Sequence, residues 1–527
     1  MIEKLKNISS RKLYKRAAEQ NNKNSQINTK KNSQKRALNA VKNTFKIPDD
    51  IQFNIAPNTG VFDYTKNPTR ENFLKLIEKG TDVNVIVKLY DNNSEDTIIT
   101  PQIAAHYGHL PLLKWMKEND NFTFDVYVCA IAAEYGHLNC LKYAHEQNCP
   151  WDDNTCEKAA KNGHLDCLEY AHEKGCYWYA GTCSSAASGG HLDCLTYAHK
   201  QNCPWDELTC YFAAKNGHLD CLEYAHEHQC PWNAGTCSIA ASGGYLNCLT
   251  YAHDAGCLWN KYTCESAAEN GHLDCLEYAH EHDCPWDEET CEIAAKNGYL
   301  NCLEYAHEHD CPWDAKTCSS AASGGHINCL EYAYNLICPW DERTCSSAAS
   351  GGHINCLEYA HEHDCPWDEK TCSYAAYNGH LNCLEYAYNF YCPWDERTCS
   401  SAALKGHINC LEYAHKNNCL WNKETCTNAA EYGHLDCLTY AHKNNCPWDK
   451  DTCHYAAVNE QISCLKYALD NGCPFDKSKR YENPEVNKLI SNKIALQTGG
   501  ANNNLLPYIS INVVILLTAT VFGSIMH

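Results

Sequence analysis

Thiols and imidazoles dominate the chemistry open to this chain, which holds 39 Cys and 28 His among 527 residues. Such groups bind soft metals, exchange disulfides or transfer protons, and their spacing decides among these. Every cysteine falls in one of three rows at 27-residue intervals: Cys129 to Cys453, Cys140 to Cys464 and Cys149 to Cys473. A zinc site usually carries a short Cys-x(2–4)-Cys pair, and the chain has none. A disulfide framework fits no better: the count is odd, and the chain is far longer than the secreted domains that need staples. Neighbouring units of a helical stack also lie roughly 10 Å apart, against the about 4.4–6.8 Å that disulfide Cα atoms require. The rows therefore read as small buried hydrophobes in a reducing compartment, and neither a metal nor another cofactor is expected.

The histidines give a similar reading. His164, His191, His218 and His272 form one row, in which Tyr245 and Tyr299 stand in two copies; His145, His172 and His199 begin another, in which Tyr334 and Tyr388 do so. A metal ligand or general base does not readily survive exchange for tyrosine, so both rows read as structural, with mild pH sensitivity. Acid and imidazole strings such as Glu277 to His282 recur with the scaffold, and no Walker loop, nucleophile elbow, kinase signature or His-Glu-x-x-His is present. No enzyme is expected.

The element that positions these rows is a repeat of Thr-Cys-x-x-Ala-Ala-x-x-Gly-His-Leu-x-Cys-Leu-x-Tyr-Ala-His followed by Cys-Pro-Trp-Asp, present thirteen times with local drift. A unit this short cannot bury its own apolar face, so copies must stack into a solenoid. In the copy at Cys156, the spacing of Cys156, Ala159 and Ala160 predicts a narrow apolar stripe on a helix A built for close packing. Gly163 breaks it, and Leu165, Cys167, Leu168, Tyr170 and Ala171 predict an antiparallel helix B. Pro150 is expected to end the preceding helix, and Asp152 or Thr155 to cap the next.

Ala-Ala-x-x-Gly-His-Leu at Ala159 to Leu165 resembles the centre of an ankyrin repeat, with Cys149-Pro150-Trp151-Asp152 in the place of its Ala-Asp-Val-Asn. Upstream, Phe73 to Asn84 resembles the end of an ordinary ankyrin unit, and Thr100 to Leu110 the start of the next. The resemblance spans about Thr69 to Asp476 and is to the short, 27-residue type abundant in large DNA viruses of protists. It implies an all-α helix-turn-helix solenoid with short turns where ankyrin proteins carry β-hairpin fingers, since the six residues missing from the standard unit lie there. Trp151 and its equivalents through Trp448, with Phe475 last, would line that edge and pack across successive turns.

The flanks differ from the repeats. Residues 1–46 hold 13 Lys or Arg against two Glu and lack an apolar signal core, so they read as a basic, disordered tail, a candidate contact for an anionic partner. Residues 47–128 read as degenerate capping repeats, 129–479 as the array and 480–504 as a linker. Residues 505–526 lack charge and are long enough to cross a bilayer, with Leu505, Ile509, Val513, Leu516, Val521 and Phe522 as the lipid-facing candidates of a tail anchor. The whole chain carries −22, which argues against nucleic acid along the repeats and favours a protein partner with a basic surface.

Recognition is expected where copies differ. The pair after Thr-Cys and the pair before Gly-His vary, and in ankyrin-like stacks they lie on or near helix A, which lines the concave face. Tyr211 and Phe212 are the first candidates, followed by Glu157, Lys158, Lys161, Glu292, Ile293 and Tyr377. The expected function is a non-enzymatic protein-interaction scaffold in a host cytoplasm, with the repeats cytosolic if the tail anchors them. A metal- or redox-responsive Cys/His protein and a ubiquitin-ligase adaptor are the alternatives.

Overall fold

The computed structural model describes residues 77–84, 100–118 and 122–499, together with 74, 86 and 87. Among them every regular element is a helix, 29 in all, running from Pro101–His106 to Pro484–Gly499. Each repeat is a pair of short helices, such as A helix Asp153–Lys161 and B helix Leu165–Glu173. No strand replaces the missing finger among the described residues, and the segment around Cys149 to Asp152 is a plain turn. The chain is thus an all-α repeat solenoid.

Local chemistry sets the helix ends. Of the two caps open in the sequence, the aspartate takes the N-cap position: the carboxylates of Asp206, Asp287, Asp314 and Asp341 accept the backbone N–H two residues on, whereas Asp152 stands at the N-cap without such a bond and accepts from the Asn154 side chain instead. The threonine instead lies buried in the first turn, as at Thr155 and Thr344. Gly163, at φ +76, turns the chain out of the A helix where an L side chain would be strained. Proline is not what stops the B helix. Leu138–Glu146 ends four residues before Pro150, because Asn148 at φ 58 has already reversed the backbone.

The core is built from small residues on one side and larger ones on the other. Both alanines of each Ala-Ala pair are buried, as are the first two cysteine rows and the leucine after the second. Alanine and cysteine let successive A helices approach closely, whereas successive B helices stand further apart. The described residues form two compact units, one running to Ala267 with Asp274–Pro285, the other Ala268–Leu273 with Trp286 to Gly499. Both are built by the same packing rule.

The stretch expected to be a linker contains a helix instead. Pro484–Gly499 lies against the last B helix, Ile462–Asp470, and buries Val486 and Ile490 at i and i+4. A single apolar stripe was enough to dock it, and its polar remainder had hidden the signal. The basic tail 1–46 and the candidate membrane segment 505–526, with Leu505, Ile509, Val513, Leu516, Val521 and Phe522, lie outside the described residues.

Candidate interaction surface

The groups with the most chemical potential face inward. In all thirteen repeats the third-row thiol donates to a backbone carbonyl 24 residues earlier: Cys176 to Asp152 at 3.1 Å, Cys338 to Asp314 at 3.3 Å, Cys365 to Asp341 at 3.3 Å and so through the array. Each such bond closes a helix pair, joining the turn after its B helix to the N-cap of its own A helix. The first-row thiol packs beside the third of its own repeat, and that thiol neighbour together with burial raises the pKa of Cys129 and Cys156. Burial pushes the middle row up as well, Cys140 to about 11 and Cys167 to about 12. First- and middle-row thiols held neutral in this way are poor nucleophiles and poor ligands, while the first-row thiol lowers the pKa of its third-row partner at Cys149 and Cys230. Among the described residues no three His or Cys ligand atoms converge.

The two histidine rows hold successive turns together. The ring of the Gly-His histidine covers the glycine of the preceding repeat, and in the two upstream copies its Nε2 reaches backbone oxygens: His109 to Thr81 at 2.8 Å and His137 to His106 at 3.0 Å. Tyr245 and Tyr299 lie over Gly217 and Gly271 in the same manner, and the side chain of Gln461 lies over Gly433, so the imidazole is not required there. The B-helix histidine stacks on the tryptophan six residues later, His172 on Trp178 at 3.7 Å and His442 on Trp448 at 3.9 Å. The next repeat's tyrosine closes the group: Tyr197 stands edge-on to Trp178, and its hydroxyl lies 3.2 Å from His172 Nδ1. The tryptophan row therefore packs across successive turns.

This arrangement fixes a pH response. Burial lowers the pKa of His145, His172, His199, His253, His415 and His442 below 6.5. The unfolded chain then binds protons that the folded chain refuses, so this stabilisation is complete above pH 6.5 and is lost as pH falls toward the folded-state values. Protonation also fixes Nδ1 as a donor toward the tyrosine hydroxyl beside it. Thermal melts are expected to show a falling midpoint from pH 7 to pH 5; a midpoint flat over that range would contradict the stacked, neutral imidazole.

On the A helices, the expected recognition residues divide into two groups. Tyr211 and Phe212 are half-buried and meet edge to face at 5.4 Å, with Lys215 Nζ 6.0 Å from the Phe212 ring. Tyr377 lies under Lys405 Nζ at 4.9 Å, Lys161 is exposed, and Ile293 is half-buried. Glu157, Lys158 and Glu292 are engaged between repeats. Glu157 accepts from Tyr179 and Ser185, both at 3.1 Å; Lys158 pairs with Glu134 at 2.6 Å; Glu292 accepts from Ser320 at 3.1 Å. Those three are partly used as mortar. Tyr374, exposed on the same helix as Tyr377, belongs with the surface residues and was overlooked, although tyrosine replaces serine there in otherwise similar copies.

The B-helix side offers shallow hollows. One is lined by Leu246, Asn247, Thr250, Tyr251, Asp254 and Ala255, which bring one carboxylate and one aliphatic hydroxyl but no thiol or imidazole. Among the described residues no helix is long and apolar enough to cross a membrane.

No protein-family model matches the chain, and no curated protein matches it. Among solved structures it is similar to the human ASB11 ankyrin repeat domain, at 15% identity over 30% of this chain and 84% of that one, with a TM-score of 0.28. It is also similar to the pentatricopeptide repeat protein PPR10 in complex with an 18-nt psaJ RNA element, at 11% identity over 81% of this chain and 77% of that one, with a TM-score of 0.32. Scores this low carry no argument; the assignment of the fold rests on the helix pairs themselves.

Proposed function

We propose that the chain is a non-enzymatic protein-interaction scaffold of the short-unit ankyrin type found in large DNA viruses of protists. One observation carries this reading: from copy to copy the buried Ala, Cys and Leu positions stay the same, while the outward positions of the A helix change. A rigid frame under a changing surface suits recognition of a protein, and the net charge of −22 favours a partner with basic surface. The repeats face the host cytoplasm, whose reducing conditions suit 39 free cysteines, and segment 505–526 tethers them to a membrane.

Site-specific photocrosslinking tests the recognition face. A benzophenone side chain replacing Tyr211 or Tyr377 is expected to capture one discrete protein in host cells, and the same group replacing Asp436 on a B helix is not. Equal capture from both sides, or none from the A helices, contradicts the reading. The tether is tested by alkaline carbonate extraction of chains with and without 505–527: only the full chain should stay with membranes, and two soluble forms would remove the membrane from the proposal.

A further inference from the structure

Cys311 to Ile337 and Cys338 to Asp364 are two copies that differ at six positions, four of which are the last four: Tyr334-Asn335-Leu336-Ile337 against His361-Glu362-His363-Asp364. One copy later the change is repeated, as Tyr388-Asn389-Phe390-Tyr391. These residues form the end of the B helix and the turn after it, whose final residue has positive φ. Elsewhere, Gln229 apart, that residue is suited to the left-handed region, as at Asn148, Asn202, Asp310, Asp364, Asn445 and Gly175. Ile337 at φ 62 and Tyr391 at φ 64 place a β-branched and a bulky side chain where neither is comfortable.

Burial does not compensate for that strain. Ile337 is 89% exposed and Tyr391 93%, with Leu336 and Phe390 exposed beside them. Leu420, where most repeats have proline, adds a further apolar group at 75% exposure on the same edge of the second unit. Phe390 is held in place against Tyr386 and His361, at 4.6 and 5.1 Å. Strained apolar residues left almost fully exposed, as Ile337 and Tyr391 are, point outward, to a ligand.

We propose that this turn edge of the second unit docks a basic amphipathic helix of a partner protein, with Leu336–Ile337 and Phe390–Tyr391 each receiving one apolar side chain. Charge identifies the partner. Residues 301–400 hold 15 Asp or Glu against 4 Lys or Arg, and three of those four cations are already paired: Arg343 with Asp341, Lys370 with Asp368, Arg397 with Asp395 and Glu369. Exposed Glu362 and Asp364 belong to the intervening repeat, so the middle of the docked helix is basic. A helix fits better than a strand, because the edge is a row of separate turns with no strand for it to extend. Two repeats at roughly 8–10 Å each set the anchors ~16–20 Å apart, which a helix spans in about 11–13 residues. The edge is distinct from the A-helix face and stands or falls separately from it.

The probe is a fluorescent synthetic helix of about 18 residues with two leucine pairs roughly 11 residues apart and lysines between them. Its isomer of identical composition has the leucine pairs adjacent. By anisotropy the full chain is expected to prefer the spaced peptide by about tenfold or more. The variant Leu336→His, Ile337→Asp, Phe390→His, Tyr391→Asp restores the side chains of the sister copy; it should lose that preference while melting at an equal or higher temperature, since the strain is relieved. A variant with Tyr211→Ala and Tyr377→Ala should keep it. Equal binding of the two peptides, or preference retained in the fourfold variant, overturns the proposal. So does concentration-dependent dimerisation, or binding to phosphatidylcholine vesicles, that the fourfold variant abolishes, because a second copy or a lipid surface would then be the occupant.

Discussion

Replacing Gly379 by alanine is expected to destabilise the repeats on either side of it by roughly 3 kcal/mol, about half from the left-handed backbone and the rest from displaced packing. Gly379 has φ +79, and a Cβ there would lie 2.5 Å from Nδ1 and 2.7 Å from Cε1 of His407. The ring cannot easily withdraw, being hydrogen-bonded to the Tyr377 backbone and held neutral by burial. Gly472 supplies the control: its φ is +82 but nothing lies within 4 Å of the same Cβ, so Gly472→Ala should cost only about 1–2 kcal/mol. The array itself contains a related control. In the last repeat no further copy follows, and the place of this glycine is taken by Glu460 at φ 56. Because stacked repeats need not unfold in one step, amide hydrogen exchange across Glu369–Asn378 and Leu381–Asn389 is the suitable readout. Equal costs at Gly379 and Gly472 would mean that backbone conformation alone selects glycine and that the histidine row has no part in it.

The second large effect belongs to the core. Leu357 is fully buried in helix Ile354–Glu362, and Leu357→Ala should cost about 3 kcal/mol through lost transfer energy and a residual cavity. Adjacent Cys356 loses only one sulfur atom on the same change, so Cys356→Ala should cost about 1 kcal/mol. Cys365→Ala falls between them at about 2 kcal/mol, because it also strips the Asp341 carbonyl of its thiol donor. That order, leucine above third-row cysteine above second-row cysteine, is what hydrogen exchange should return. A second-row cysteine costlier than the leucine would show that its sulfur does more than fill space.

Much of this was legible in the residues because the period is so strict. The helix pair follows from Cys156, Ala159 and Ala160 on one side and Leu165, Leu168 and Ala171 on the other, and Gly163 marks the turn by its type alone. Other features have no local signature. Nothing in the neighbourhood of Cys365 announces that its thiol reaches the Asp341 carbonyl, 24 residues back, since that bond exists only once helices Glu342–Gly351 and Ile354–Glu362 have folded against each other. The pairing of His172 with Trp178 is hidden similarly, because six residues that span a helix end do not define a face until the turn is built. Glu157 and Glu292 looked like free surface positions because they vary, yet their variation is matched by Ser185 and Ser320 in the following copies. The helix Pro484–Gly499 is hidden for a different reason: among its described side chains only Val486 and Ile490 are buried, too few apolar positions to distinguish a docked helix from a polar connection.

The central claim is that the cysteine and histidine rows hold the stack together and that recognition belongs to the exposed A-helix face and the turn edge. The measurement that reaches it most directly is the zinc content of the full chain, purified under reducing conditions, equilibrated with excess zinc and dialysed. Thiols engaged with carbonyls and imidazoles stacked on tryptophan predict far less than one zinc per repeat and no change in melting temperature on chelation. A content near thirteen per chain, removed by chelator with loss of helix, would contradict the account and make the rows a metal-binding array.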